Sequence, residues 1–375
     1  MSVDLQWLDG GTITSPRGFL AGATYSGIRT YTEDKLDLGI VCSEVPCTVA
    51  GTFTTNRVRS PSVVLSQQRV SSGRAQAIVA NSGIANASVG EQGMKDARQM
   101  AALAASHLGV DPELVLTCST GIIGVELPMA LIRGGIRKIQ LTPQGGHALA
   151  RAIMTTDTRP KEVAVSFQVA GRSYLLGGIA KGSGMIHPNM ATMLAFLSTD
   201  APVEPSLLQE ALRKAVDSSF NMISVDRDTS TNDSVILLSN GAAGGDAIAP
   251  GTPGADSFQY ALSEVCTRLA KDIARDGEGA TKLIQVTVEG ALSEHDARTA
   301  ARAVASSMLV KCAVHGNDPN WGRVLVALGY SGAQIEEERI ALYINEVCIM
   351  EEGRPIPFFK DAVVVTMRGP EVSFR

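Results

Sequence analysis

Residues 162–197 constrain the fold more than any other stretch of the chain. From 162 to 169 the side chains switch faces at every step, Val163, Val165, Phe167 and Val169 against Ala164, Ser166 and Gln168, the two-residue period of a half-buried strand. Gly171-Arg172 turns the chain into a second strand that ends at Ala180. Residues 181–189 (KGSGMIHPN) hold too much Gly and Pro to continue it and read as a tight loop. The apolar run 193–197 is a buried strand. Strand, turn, strand, loop and strand in this order require a sheet, and the rest of the sequence supplies helices to cover it. Met94, Ala97, Ala101, Ala104 and Leu108 share one helical face, as do Phe258, Leu262, Val265, Leu269 and Ile273 before Asp276-Gly277. Further helices are predicted over 128–140, 146–154 and 297–308. Strands are predicted over 76–80, 114–116, 284–288, 363–365 and 371–374, the second feeding a polar, Gly-containing loop over 117–121, with a hairpin over 340–349 turning at Asn345-Glu346. Long helices beside mostly antiparallel strands imply an α/β fold, a layered sandwich of helices and mixed sheets. Turn-rich segments near 200–205 and 240–257 are expected to separate candidate units.

Composition narrows the function classes. The chain has 375 residues, 45% hydrophobic and 19% charged, enough for two moderate packed domains. The longest apolar run, near 190–197, is broken by Thr192, so no bilayer span is predicted. The first ten residues carry Asp4 and Asp9 and no basic stretch before an apolar core, unlike a signal peptide, so the expected compartment is the cytoplasm. Net charge is −5 with scattered Lys and Arg, which argues against nucleic acid or an acidic membrane as partner. The six cysteines form no CxxC pair and read as buried, reduced thiols. With five histidines a metal centre is not expected, and His315-Gly-Asn-Asp318 reads, with Trp321, as a packed structural loop.

Several familiar chemistries are absent from the sequence: the phosphate loop GxxxxGK[ST], a strand–GxGxxG–helix fingerprint, the GxSxG elbow and HExxH. Hydroxyl-rich segments remain, at Ser119-Thr120-Gly121, Thr155-Thr156-Asp157-Thr158, 181–192 and 226–233 (DRDTSTND). Any one of these alone is ordinary turn and cap chemistry. Segment 181–194 (KGSGMIHPNMATML) differs in setting a threonine between a glycine-rich loop and an apolar strand. Threonine is a weak nucleophile without an adjacent base, and one solution makes it a chain terminus whose own α-amine takes the proton. Such a terminus at Thr192 requires cleavage of the bond after Ala191. The same hydroxyl can do this by attacking the preceding carbonyl to give an ester that water opens, and a small Ala191 tolerates the strained geometry. Periodicity leaves room for this chemistry without demonstrating it.

KGSGMIHPNMATML resembles the signature of the ornithine acetyltransferase family, also called bifunctional glutamate N-acetyltransferase (ArgJ-like). Ser119-Thr-Gly-Ile-Ile-Gly124, Met154-Thr-Thr-Asp-Thr158, Asp276-Gly-Glu-Gly-Ala280 and His315-Gly-Asn-Asp-Pro-Asn-Trp-Gly-Arg323 resemble further family blocks in the family's order, as do 81–86 and 226–233. The likeness runs from about Gly10 to the last residue.

The resemblance implies the family's layered fold, cut into an α chain, residues 1–191, and a β chain, residues 192–375. It implies Thr192 as nucleophile, first in self-cleavage at Ala191–Thr192 and then as the acetyl carrier. Thr120 and Gly121 would form the oxyanion hole. Thr155, Lys181 and Glu278 would bind substrate with Thr192, Thr156 being the alternative to Thr155. Lys181 would meet a substrate carboxylate, and Glu278 the cationic side chain or α-amine of ornithine. The implied reaction is ping-pong transfer of acetyl from N-acetylornithine to glutamate in arginine biosynthesis, with acetyl-CoA a possible second donor, without cofactor or metal. The implied assembly is two α and two β chains. Family members end with a further strand and a tail that reaches the substrate site, whereas this sequence stops at Phe374-Arg375. Two alternatives stay open: an N-terminal-nucleophile amidohydrolase or aminopeptidase using water as acceptor, and a non-catalytic homologue whose site is not closed by that tail.

Overall fold

The computed structural model describes residues 5–29, 35–187 and 193–375. Contacts divide the chain into two compact units, Met1–Asn221 with Asp228–Asp276 and Met222–Arg227 with Gly277–Arg375.

Among the described residues of the first unit, nine strands make one sheet. They are β1 (Gln6–Trp7), β2 (Phe19–Thr24), β3 (Leu38–Phe53), β4 (Arg74–Ile84), β5 (Val115–Ile122), β6 (Lys161–Val169), β7 (Arg172–Lys181), β8 (Leu194–Thr199) and β9 (Ser234–Ser239). Their order is β1-β6-β7-β8-β9-β3-β4-β5, with β2 beside β3. The alternating segment behaves as its period predicts. β6 pairs with β7 from Lys161↔Ala180 to Val169↔Arg172, and the turn uses two left-handed residues, Ala170 (φ 49°) and Gly171 (φ 78°), the pattern whose twist suits a two-residue hairpin. Not all neighbours are antiparallel: β4·β5 and β8·β9 are parallel.

Helices α1 (Pro61–Val70), α2 (Gly90–Leu108), α3 (Met129–Ile136), α4 (Gly146–Ala152), α5 (Pro205–Ser218) and α6 (Pro253–Arg275) cover both faces. Consecutive strand residues point to opposite sides. Val41 and Ile78 pack with Leu149 of α4 and Phe196, while Ile40 and Val79 pack with Met100 and Ala104 of α2. The predicted stripe of α6 is buried from Phe258 to Ile273. α2 stops at Gly109, whose φ of 71° is the left-handed cap glycine supplies without strain.

Three expectations need correction. Residues 117–121 are not a loop; they continue β5, because α1 supplies the partners their polar groups need. Residues 363–365 are not a strand but part of a helix, described below. The turn-rich segments near 200–205 and 240–257 do not separate units. They connect β8 to α5 and β9 to α6, both helices lie on the one sheet, and the segments are bridged at Val203↔Ile248. The boundary falls after Asp276 instead.

The second unit has strands β10 (Leu283–Val286), β11 (Leu342–Ile344), β12 (Val347–Glu351), β13 (Arg354–Pro355) and β14 (Glu371–Phe374), in the order β10-β14-β11-β12-β13. Helices α7 (Glu294–Ser306), α8 (Met308–His315), α9 (Trp321–Gly329) and α10 (Lys360–Met367) accompany them. In α10, Val363 and Met367 are buried four residues apart while Val365 is exposed, a helical period that the short run Val-Val-Val conceals. The unit's core joins these two to Val304, Ile344, Val372 and Phe374, with Trp321 packed against it. Cys42, Cys47, Cys118 and Cys266 are buried as expected, but Cys312 is exposed and Cys348 only half-buried. Among the described residues no helix is long and apolar enough to cross a membrane.

Candidate active site

The loop singled out from sequence hangs between two adjacent strands. Lys181, last in β7, pairs with Leu194, first in β8, so both ends of the connection are fixed on neighbouring strands. Residues 188–192, among them Ala191 and Thr192, lie outside the described residues. Met193 is buried, and its N–H donates to Asp233 Oδ1 at 2.9 Å. Asp233 directly precedes β9, which runs parallel to β8 with Leu194 beside Ser234. The Asp233 carboxyl is fully enclosed, and burial pushes its pKa well above the usual carboxylate range against the Met193 N–H and Lys181. Among the described residues its Oδ2 meets no hydrogen-bond partner. The hydroxyls of Ser230 and Thr54 favour its charged form.

Lys181 is 2% exposed, and its Nζ lies 3.9 Å from Asp157 Oδ2. Burial lowers the Lys181 ammonium below its ordinary range, and Asp157 opposes the shift. Asp157 is the hub of this region. Its Oδ2 accepts the Thr155 N–H at 3.0 Å, and its Oδ1 accepts both the Gly182 N–H at 2.7 Å and Lys161 Nζ at 2.7 Å. Lys161 also reaches Asp276 Oδ2 at 2.6 Å. Asp276 receives the Thr158 N–H and hydroxyl through its carboxylate and the Ser183 hydroxyl through its carbonyl. Burial alone would raise the Asp157 carboxyl, but Lys181, Lys161 and the Gly182 N–H together hold it at about 2. One carboxylate therefore ties Thr155 and Lys181, both singled out from sequence, into one cluster. Arg29 donates to the Thr155 carbonyl, and Thr155 is half-buried while Thr156 is exposed.

Thr120 and Gly121 occupy the point where β5 passes from buried to exposed. The strand reaches it through polar residues that α1 satisfies. Ser66 donates to the Thr117 carbonyl and accepts its N–H, and Ser62 Oγ lies 2.9 Å from Ser119 Oγ. At Gly121 (φ 132°) an added Cβ would lie 2.2 Å from the Gly83 carbonyl carbon on β4, so the two strands touch backbone to backbone. Gly121→Ala is expected to part them and cost about 1–3 kcal/mol, in the range of overpacked sites. Thermal or urea denaturation reads this directly, and unchanged stability would contradict the close approach.

Glu278 is exposed and belongs to the second unit. In the same unit His315 Nδ1 lies 3.2 Å from Thr281 Oγ1, a loop contact. Lys161, Asn232 and Asp233 were given no role by sequence reasoning, and neither was Asp157. Three of these stood inside the noted blocks, but nothing local distinguishes a buried Asp from a turn Asp. Lys161, at the start of a strand, carried no signal at all.

Buried ion pairs and hydroxyls fixed around one strand connection, in a mixed α/β scaffold, mark this region as a candidate active site. The chain belongs to the ArgJ family, whose profile matches residues 20–375. It is 53% identical over 372 residues to the arginine biosynthesis bifunctional protein ArgJ of Symbiobacterium thermophilum, covering 99% of this chain and 92% of that protein. The protein of that name from Dehalococcoides mccartyi is 51% identical, with 94% and 86% covered. The Bacillus subtilis one is 43% identical, with 97% and 89% covered.

Proposed function

We propose that the chain transfers acetyl from N2-acetyl-L-ornithine to L-glutamate in arginine biosynthesis, through an acetyl ester on Thr192 that forms after self-cleavage at Ala191–Thr192. The reading rests on family membership, and the observation that carries it in the molecule is Lys181. This fully buried lysine, paired with Asp157, closes the strand that leads into the Thr192 segment, where a substrate carboxylate would find a charge held in place. Thr192 stands two residues before Leu194, a span of at most about 7 Å, and Leu194 shares a rung with Lys181.

In this reading Thr192 Oγ attacks the acetyl carbonyl while the α-amine of the same residue takes the proton. Thr120 and the Gly121 N–H hold the oxyanion. Ornithine leaves, the amine of glutamate attacks the ester, and N-acetylglutamate departs. The charge stabilisation and proton transfer come from the chain's own groups. The separated halves, residues 1–191 and 192–375, would remain joined because the sheet interleaves them. β8 and β9, from the downstream half, lie between β7 and β3, from the upstream half. Two such pairs would make the family's four-chain assembly, acting in the cytoplasm.

The test follows acetyl from labelled N-acetylornithine. Formation of N-acetylglutamate supports the transferase. Release of free acetate without transfer would favour the amidohydrolase, and an uncut, inactive chain would favour a non-catalytic homologue. Adding acetyl-CoA in place of acetylornithine decides the second donor. Glu278→Ala is expected to weaken acetylornithine use about tenfold or more, the value of a lost charge-assisted contact, while leaving self-cleavage near its normal rate. Equal loss of both would assign Glu278 to the fold instead.

A further inference from the structure

Two consecutive side chains of the DRDTSTND segment connect the parts of the site that the proposed reaction needs together. Asn232 Nδ2 donates to the Ser119 carbonyl at 2.8 Å and to the Ala85 carbonyl at 2.6 Å. The Ser119 carbonyl belongs to the peptide group that enters Thr120. Asp233 Oδ1 accepts the Met193 N–H at 2.9 Å, and that N–H belongs to the peptide group that leaves Thr192. We propose that Asn232 and Asp233 form a positioning bracket that sets the distance between the Thr120–Gly121 end of β5 and the start of β8. The inference rests on the reading of Thr192 as nucleophile.

The bracket is stiff by construction. Asn232 and Asp233 are both buried. The Thr54 N–H donates to the Asp233 carbonyl at 3.0 Å, and the Ser60 N–H to the Thr231 carbonyl at 2.9 Å. The Thr54 hydroxyl donates to the Ser230 carbonyl at 2.7 Å, and the Asn232 N–H to Ser230 Oγ at 3.0 Å. Neighbours on both sides thus hold the backbone from which the two side chains reach in different directions. β5 and β8 are not neighbours in the sheet; β9, β3 and β4 lie between them. Ladder hydrogen bonds therefore cannot fix their separation directly, and a side-chain tie does so.

A positioning role makes a specific pattern of losses. Asn232→Ala and Asp233→Ala are each expected to lower kcat about 10²-fold, the cost of a misplacement near 1 Å. The KM for glutamate should stay within about threefold, because substrate contacts are untouched. The double variant should lose little more than either single one, since two arms of one bracket act as a unit. Asp233→Asn should recover most of the kcat lost in Asp233→Ala, because its carbonyl oxygen still accepts the Met193 N–H. Should Asp233→Ala not fold, the isosteric pair Asp233→Asn and Asn232→Asp carries the same decision. The first keeps its acceptor, the second loses both donors, and only the second should lose kcat. Alanine variants with kcat within about threefold of wild type, additive losses in the double variant, or an Asp233→Asn as slow as Asp233→Ala would each overturn the bracket. Failure of the nucleophile reading shows instead in the wild type, as a chain that stays uncut. Failure of the bracket shows only in variants of a wild type that cuts.

Discussion

Thr192→Ala leaves the polypeptide in one piece and abolishes acetyl transfer; this is the expected result with the largest effect on activity. The cut requires a hydroxyl on the residue that follows the scissile peptide, and the neighbours Asn189, Met190, Ala191 and Met193 offer none. A denaturing mass spectrum should show a single species near 39.4 kDa for the variant and two fragments for the wild type. Removing a nucleophile costs on the order of 10⁶-fold in kcat where it has been measured in a serine enzyme, so any residual turnover should be undetectable. The uncut variant should fold, because β7, β8 and β9 pair through residues outside the cleaved bond. Thr192→Ser, which keeps the hydroxyl, should still be cut. Two fragments from the alanine variant would remove Thr192 from the mechanism altogether.

How much of this site could be read from sequence depends on which physical signal each residue leaves. The hairpin of β6 and β7 was legible because alternation is a local pattern, and the α6 stripe because a long helix repeats its period several times. Residues 117–120 misled because three hydroxyl residues around one cysteine look solvated. Their partners, Ser62 and Ser66 on α1, lie some fifty positions upstream, and no window sees both. Residues 363–365 misled because three valines satisfy a strand and one turn of helix equally. At the site, Lys181, Thr155 and Thr120 were reached through resemblance. Asp157, which connects two of them, and the pair Asn232–Asp233 acquire meaning only when strands distant in sequence are brought side by side. The chain announces its periodic elements locally and its polar clusters only through topology.

Lys161→Met should have the largest effect on stability. Lys161 is 1% exposed, and its ammonium bridges Asp157 and Asp276 at 2.7 and 2.6 Å. Methionine matches the aliphatic stem and removes the charge, so two carboxylates that burial penalises lose their shared cation. Breaking a buried pair from one side costs about 3–5 kcal/mol, measurable by urea denaturation at neutral pH. Replacing Asp157 with Asn in the same chain should recover part of that loss, since one of the two uncompensated carboxylates is then neutral. Acid sensitivity should move as well. The Asp157 carboxyl sits at about 2 in the folded chain, below the roughly 3.9 of an unfolded aspartate. Its contribution is therefore complete above about pH 4 and is lost as the pH falls through about 2. Without Lys161 the folded pKa rises, so the loss begins at a higher pH than in the wild type. A variant as stable as the wild type at both neutral and acidic pH would show that the cluster does not bear on the fold. The expected outcome has a consequence for the site itself: the same carboxylate that Lys161 stabilises holds Gly182 and faces Lys181, so weakening the fold here and loosening the lysine that would meet substrate are one event.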